Sequence, residues 1–379
     1  MTEATDQSAL GPYGPLILGV ALLAAWLLTD LCIPWVTRLA YRFGRVDPVD
    51  PRKVHKTPIP RLGGVAIFAG VMLALGLVEV LVPGELFPVD GSLRGVLAGG
   101  ALVFVLGVVD DLWPLSAKVK LFGQIAAAIL AFMFGVHIDF LSAPGGGVWP
   151  FPQVFGFPAL ALAVTVFWIV GITNTINLID GLDGLAGGVS LIGALTLAII
   201  ALETNQPYPA IIAVAVSGAT IGFLRYNFNP ARIFMGDGGS LFLGFTLASI
   251  AILGVLKLVT AVTLVLPVLI LGVPIGDTLF AIIRRLWNHR PIFSPDRGHL
   301  HHRLLSAGLS HRNTVIMIYG FSLALAGLAL ALLRVEGSIP MLFAALLFLA
   351  WGGWNLVLTR SHAHGPAPVE GESSQEGHG

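Results

Sequence analysis

Charge is what this sequence has least of. Asp, Glu, Lys and Arg make up 11% of its 379 residues, where a water-soluble domain carries about 25%. With 56% hydrophobic residues and a mean hydropathy of +0.87, this argues against a soluble fold. Cysteine is nearly missing. The single Cys32 cannot close an internal disulfide and reads as a small buried hydrophobe in the first apolar run. A basic segment ahead of that run is missing too: the opening MTEATDQ is acidic, so the run reads as a retained span and not a cleaved signal. Long polar stretches are scarce. The longest connections are 38–61 and 286–312, so no separate soluble domain is expected. The net charge is zero, which gives no ground to expect nucleic acid as a partner.

What remains is apolar sequence. Stretches long enough to cross a bilayer run at about 14–37, 62–83, 93–109, 121–141, 157–176, 184–202, 209–224, 239–256, 260–285, 313–333 and 339–358. The 46 glycines suit close helix packing in lipid, where small residues let backbones approach. The fold class expected is all-α: a polytopic membrane protein of about eleven transmembrane helices around a cytoplasmic-facing cleft, one domain over residues 1–360. The tail at 361–379 is Gly-, Ser-, Glu- and His-rich and is expected to be disordered on the cytoplasmic side. Its histidines read as solvated in preference to metal-binding.

Orientation follows from the basic residues, which collect in cytoplasmic loops. The odd-numbered connections and the tail hold Arg38, Arg42, Arg45, Arg52, Lys53, Lys56, Arg61, Lys118, Lys120, Arg225, Arg232, Arg284, Arg285, Arg290, Arg297, Arg303, Arg312 and Arg360. The even ones hold only Arg94, Lys257 and Arg334. The N-terminus is therefore expected outside an inner membrane and the C-terminus in the cytoplasm.

The acidic motifs fall on the same side. Asp110 and Asp111 end the third span, Asp180 and Asp183 lie in NTINLIDGLDGLAGG, and Asp237 lies in NFNPARIFMGDGGS. Carboxylates are costly near lipid. Five at one mouth, beside Lys56, Lys118 and Lys120, point to a divalent cation and phosphates. Magnesium fits hard oxygen ligands better than zinc does, with manganese as a substitute. Each motif also has a plainer reading. The DD pair could be solvated, DGLDG could be a turn and capping device, and GDGGS could open a helix whose N-terminus welcomes phosphate.

The ninth connection carries RPIFSPDRGHLHHRLL, with His299, His301 and His302 between Arg297 and Arg303. Phosphate or sugar contact is preferred there to zinc or to a purely structural loop. Asp277 lies about 10 Å inside the ninth span at 1.5 Å per residue from Arg284. It is either a functional carboxylate at a helix break near Pro274 and Gly276, or half of a buried pair.

In order, PRLGG, DD, NxxNxxDGxDGL, FMGDGGS and HLHHRLL resemble the polyprenyl-phosphate N-acetylhexosamine-1-phosphate transferases, from about Lys56 to Arg312. HLHHRLL looks like the bacterial UDP-N-acetylglucosamine branch, which starts O-antigen, enterobacterial common antigen or wall teichoic acid. The muramoyl-pentapeptide branch usually has three consecutive histidines, and a lysine where this chain has Pro114. The resemblance implies transfer of a sugar-1-phosphate from a UDP-N-acetylhexosamine to undecaprenyl phosphate, with release of UMP. It implies Asp237 as principal magnesium ligand, with Asp110, Asp111 and Asp180 nearby. Asp180, Asp183, Asn177 and Asn227 would line the nucleotide pocket, with Phe234 stacked on uracil. Lys56 would lie near the nucleotide and Lys120 on phosphate. His299, His301, His302 and Arg303 would close over the sugar and pyrophosphate. A homodimer stays open. The competing readings are a secondary transporter, which would carry its ionisable groups near the midplane, and a lipid-linked sugar flippase.

Overall fold

The structure, a computed structural model, describes residues 13–47, 58–83, 91–142, 148–153, 156, 158–256, 265–289 and 298–334. The apolar runs fold as helices because a helix satisfies its own backbone polar groups where no water can. They are α1 (Gly14–Arg42), α2 (Gly63–Leu81), α3 (Ser92–Leu112), α4 (Ala117–Met133), α5 (Ala159–Ile179), α6 (Leu185–Glu203), α7 (Pro207–Asn227), α8 (Gly236–Ala251), α9 (Val265–Ile270), α10 (Gly272–Trp287), α11 (Leu300–Ser306) and α12 (His311–Arg334). Eight helices among the described residues are long and apolar enough to span: α1, α2, α3, α5, α6, α7, α8 with its π-helical extension Ile252–Leu256, and α12. The chain is an all-α, multi-pass membrane protein.

The other three expected spans fare differently. The fourth lies earlier than its apolar stretch suggests. Ser116 caps α4 by accepting from the Val119 N–H, so the helix starts at Ala117 and Lys118 and Lys120 stand on it. Its 17 residues reach about 26 Å, and after Gly135 the chain enters the hairpin β3 (Phe140–Ser142) and β4 (Val148–Pro150). The ninth is cut at Leu271 into α9 and α10. Pro274, expected near the break, instead sits in the first turn of α10, where its missing N–H has no helical partner to lose. The eleventh span and the tail lie outside the described residues.

The bundle is organised around α8, which packs against α2, α3, α5, α6 and α7 and is buried from Gly238 to Ala251. The outer helices keep apolar faces exposed, as Trp35, Phe122 and Phe167 do. Two glycines let α2 and α8 meet backbone to backbone: a Cβ on Gly64 would stand 2.1 Å from the Gly239 nitrogen. Two short strands in the first connection, β1 (Val46–Asp47) and β2 (Ile59–Pro60), pair antiparallel and lead the chain into α2.

The contact of α3 with the start of α8 is equally tight. A Cβ on Gly107 would lie 2.5 Å from the carbonyl of Asp237, while one on Gly76 would meet nothing within 4 Å. Gly→Ala inside a helix otherwise stabilises by up to about 1 kcal/mol, whereas overpacking costs about 1–3 kcal/mol. Gly107→Ala is therefore expected to lower the melting temperature in detergent and Gly76→Ala to leave it equal or higher. Equal melting of the two variants would contradict this packing.

Candidate active site

The carboxylate motifs, distant along the chain, meet at one end of the bundle. Asp110 and Asp111 stand in the last turn of α3, where a helix's exposed carbonyls repel negative charge. They persist because neighbouring elements supply donors. Asp111 accepts from the backbone N–H groups of Asp237 (2.9 Å) and Gly238 (3.0 Å). It thereby caps α8 and satisfies donors that have no partner within that helix. Gly236 makes the geometry possible. Its φ is +74°, and a Cβ there would lie 2.6 Å from an Asp111 carboxylate oxygen.

Asp110 accepts from the Leu115 N–H (2.6 Å) and from Lys120 Nζ (3.0 Å). Lys120 also donates to Asp237 Oδ2 (2.9 Å), so one ammonium bridges α3 and α8 from α4. The second Asp237 oxygen accepts from Asn177 Nδ2 (3.2 Å), which also donates to Ser240 Oγ (2.8 Å). Asp237 remains partly exposed, its side chain 26% accessible.

Asp180 follows α5 directly and is half-buried. Its carboxylate is pushed up to about 8, first by burial and then by the negative charges of Asp237, Asp111 and Asp183. Among the described residues no hydrogen bond to it lowers that value. A divalent cation would relieve this crowding, and the donors are hard oxygens of the kind magnesium prefers. No three His, Cys, Asp or Glu side chains among the described residues form a ready ligand set. A cation here would be held by one or two carboxylates, with substrate oxygens completing its shell. Asp237 and Asp180 suit that role. Asp110 and Asp111, placed near the metal by resemblance, have both oxygens engaged by protein donors, as Asp237 does, but of the pair that Lys120 bridges Asp237 is the more exposed.

Asp183 and Asn227, expected to line the nucleotide pocket, also hold the local fold. Asp183 Oδ2 accepts from Asn229 Nδ2 and the Ala231 N–H, each at 3.0 Å. Asn227 accepts from the Gly184 N–H (2.9 Å) and donates to the Ile233 carbonyl (2.8 Å). Together they staple the DGLDG turn to the connection between α7 and α8. The PRLGG segment docks on the same connection: Gly63 and Gly64 donate to the carbonyls of Phe234 (2.9 Å) and Met235 (2.7 Å). Phe234 is fixed by its backbone there, its side chain half-buried. Lys56 and Arg297 lie outside the described residues.

The ninth connection folds onto the DGLDG turn. Asp277 is half of a buried pair: it meets His299 Nδ1 (2.9 Å) and accepts from the Leu300 N–H (2.7 Å), which caps α11. His301 then faces Gly181, where a Cβ would lie 2.9 Å from its Nε2. Burial, followed by the neighbouring His302, pushes the His301 imidazole down to about 4, so it is neutral at pH 7 and cannot serve as a positive phosphate anchor. His302 is exposed. Arg303 is buried, and burial followed by the charge of Arg284 lowers its guanidinium from the usual value. Three residues unmarked by the motif reading complete the assembly. Ser240 links Asn177 to the Gly236 carbonyl, His311 Nε2 accepts from the Asp183 N–H (2.9 Å), and the Tyr319 hydroxyl donates to the Gly184 carbonyl. Ser240 could have been found inside FMGDGGS; the other two carry no local signal.

Residues 93–255 match the profile of glycosyl transferase family 4. The chain is 43% identical over 335 residues to a Bacillus subtilis protein named "Probable undecaprenyl-phosphate N-acetylglucosaminyl 1-phosphate transferase", covering 87% of this chain and 89% of that one. It is 38% identical to the decaprenyl-phosphate N-acetylglucosaminephosphotransferase of Mycolicibacterium smegmatis, over 83% of this chain and 81% of that one. It is 29% identical to the undecaprenyl-phosphate alpha-N-acetylglucosaminyl 1-phosphate transferase of Escherichia coli K12, over 80% of each. With motif order, membrane fold and full-length similarity in agreement, the chain belongs to glycosyl transferase family 4, among the polyprenyl-phosphate N-acetylhexosamine-1-phosphate transferases.

Proposed function

We propose that this protein transfers N-acetylglucosamine-1-phosphate from UDP-N-acetylglucosamine to undecaprenyl phosphate, releasing UMP, as the first membrane step of a cell-surface glycan pathway. The observation that carries the reading is Lys120 bridging Asp110 and Asp237 beside Asp180, which has no hydrogen-bond donor among the described residues. That cluster offers a site for a diphosphate and its counter-ion at the membrane end of the bundle.

A lipid phosphate oxygen attacks the sugar-linked phosphorus of the UDP-sugar. The new P–O bond forms as the bond from that phosphorus to the oxygen of the departing UMP breaks. Both reactants are anions, so the protein's task is charge neutralisation and alignment. Magnesium, held by Asp237 and Asp180, would neutralise diphosphate charge. Lys120 adds a second positive charge at the same point, and Asn177 fixes the free rotation of the Asp237 carboxylate. The lipid phosphate is largely ionised at pH 7 and needs no strong base. Asp110, with both oxygens accepting hydrogen bonds, is assigned to holding Lys120. The loop from His299 to His311 covers the DGLDG turn, with neutral His301 offering a hydrogen bond in place of a charge.

The site is proposed to face the cytoplasm of an inner membrane, where nucleotide sugars are made. On a Cys32→Ser background, cysteine at Ser116, which caps one end of α4, should react with an impermeant maleimide only in inside-out vesicles. Cysteine at Asp139, beyond the other end of α4, should react only in intact cells. The opposite pattern would reverse the topology, and labelling of both from one side would end the reading.

Detergent-purified protein supplied with UDP-N-acetylglucosamine, undecaprenyl phosphate and Mg²⁺ should release UMP, and chelation should stop it. Asp237→Asn and Asp180→Asn should each lower kcat by about 100-fold or more, given several kcal/mol of lost charge stabilisation. Asp183→Asn should act chiefly through stability, lowering the melting temperature. No UMP release by wild-type protein with any UDP-N-acetylhexosamine would overturn the assignment.

A further inference from the structure

One buried polar contact beneath the cluster joins the first asparagine of NxxNxxDGxDGL to a glutamine outside every motif. Gln124 on α4 and Asn174 on α5 face each other with paired amides. Gln124 Nε2 donates to Asn174 Oδ1 (3.3 Å), and Asn174 Nδ2 donates to Gln124 Oε1 (2.6 Å) and to the Val170 carbonyl (2.8 Å). Gln124 is 2% exposed. Burying an amide costs free energy unless it is hydrogen-bonded, and interhelical hydrogen bonds in membranes return only about 0.6–2 kcal/mol. Stability alone is thus a weak reason for an amide pair where leucine would pack.

Its position supplies a stronger one. Gln124 lies one helical turn from Lys120, and Asn174 one turn from Asn177, on the faces that i,i+4 and i,i+3 spacing bring into line. Lys120 and Asn177 take the two oxygens of Asp237 from these two helices. The reciprocal amide pair locks α4 and α5 against sliding or rotation directly beneath that grip.

We propose that Gln124 is a positioning residue for the transfer reaction, setting through Asn174 the register at which Lys120 and Asn177 hold Asp237. Gln124 touches neither substrate nor reacting atoms. It acts by fixing where the ammonium of Lys120 and the amide of Asn177 stand. The inference rests on the reaction proposed above, and wild-type turnover in the same assay separates failure of that reading from failure of this one.

The test is steady-state kinetics of UMP release by full-length variants in detergent. Gln124→Leu removes the donor to Asn174 Oδ1 and leaves Asn174 Nδ2 only the Val170 carbonyl among the described residues, a loss of about 1–3 kcal/mol. It should lower kcat about tenfold with KM for the UDP-sugar within about twofold of wild type. Added to Asn174→Leu, it should cost less than a further factor of about two, because the partners act as one unit. Gln124→Glu supplies a signature that packing alone would not. A protonated carboxyl can both donate to Asn174 Oδ1 and accept from its Nδ2, whereas an ionised one only accepts. Relative to wild type, its kcat should be near normal at about pH 6 and fall towards that of Gln124→Leu by about pH 9. Dividing by the wild-type profile removes the titration of Lys120, Asp110, Asp237 and Asp180, which both proteins share. Should Gln124→Leu fail to accumulate as folded protein, the Gln124→Glu ratio decides alone. A wild-type kcat in Gln124→Leu, full additivity with Asn174→Leu, or a flat Gln124→Glu ratio would each overturn the proposal.

Discussion

A carboxylate at a helix C-terminus is opposed by the carbonyls of its own helix, and α3 ends in two. The bundle resolves this by placing the N-terminus of α8 against them. The Asp111 carboxylate receives two α8 N–H groups, so an unfavourable terminus on one helix becomes the cap of another. That interaction fixes where Asp237 stands, because Asp237 is in the first turn of the capped helix. It also demands glycine at 107 and 236, since the backbones come too close for a Cβ at either. Lys120, the PRLGG segment and the DGLDG turn are all built around this one joint.

The carboxylates divide into two kinds once their partners are counted. Asp110, Asp111, Asp183 and Asp277 have both oxygens, or one oxygen twice over, engaged by protein donors. Their charge is compensated within the fold, and they hold elements together. Asp180 has no such donor among the described residues, and burial with the neighbouring negative charges pushes its carboxyl up to about 8. Asp237 is held by a lysine and an asparagine, one on each oxygen, yet its side chain stays partly exposed. The role proposed for a bound cation therefore suits Asp237, which stays accessible, and Asp180, which has no protein donor among the described residues, better than the other three motif carboxylates.

That division marks the limit of what could be read from the sequence. In a chain so poor in charge, the acidic motifs and the lopsided basic loops stand out. Their gathering at one end was legible because span order alone assigns loops to sides. Whether an aspartate binds a ligand or staples a turn was not legible, since DGLDG is compatible with both and the donors for Asp183 come from Asn229 and Ala231, far along the chain. The start of α4 could have been read from Ser116, but hydropathy outweighed the cap and shifted the span. The break in the ninth span was anticipated at Pro274 and occurs at Leu271, because a first-turn proline leaves a helix intact. Asp277 pairs with a histidine 22 residues away, a contact that no local pattern announces.

The ninth connection shows why the site is assembled from separate pieces. His299 is tied to α10 through Asp277, and His301 abuts the DGLDG turn. His311, at the start of α12, holds the Asp183 backbone. Each of these anchors is a neutral or internally paired group, so the arginines of the connection are not used to fasten it to the turn. With His301 kept neutral by burial, the ammonium that bridges the carboxylates among the described residues is that of Lys120. Because that ammonium is already shared by Asp110 and Asp237, a diphosphate bound as proposed above would compete with them for it, and a metal arriving with the substrate would ease that competition.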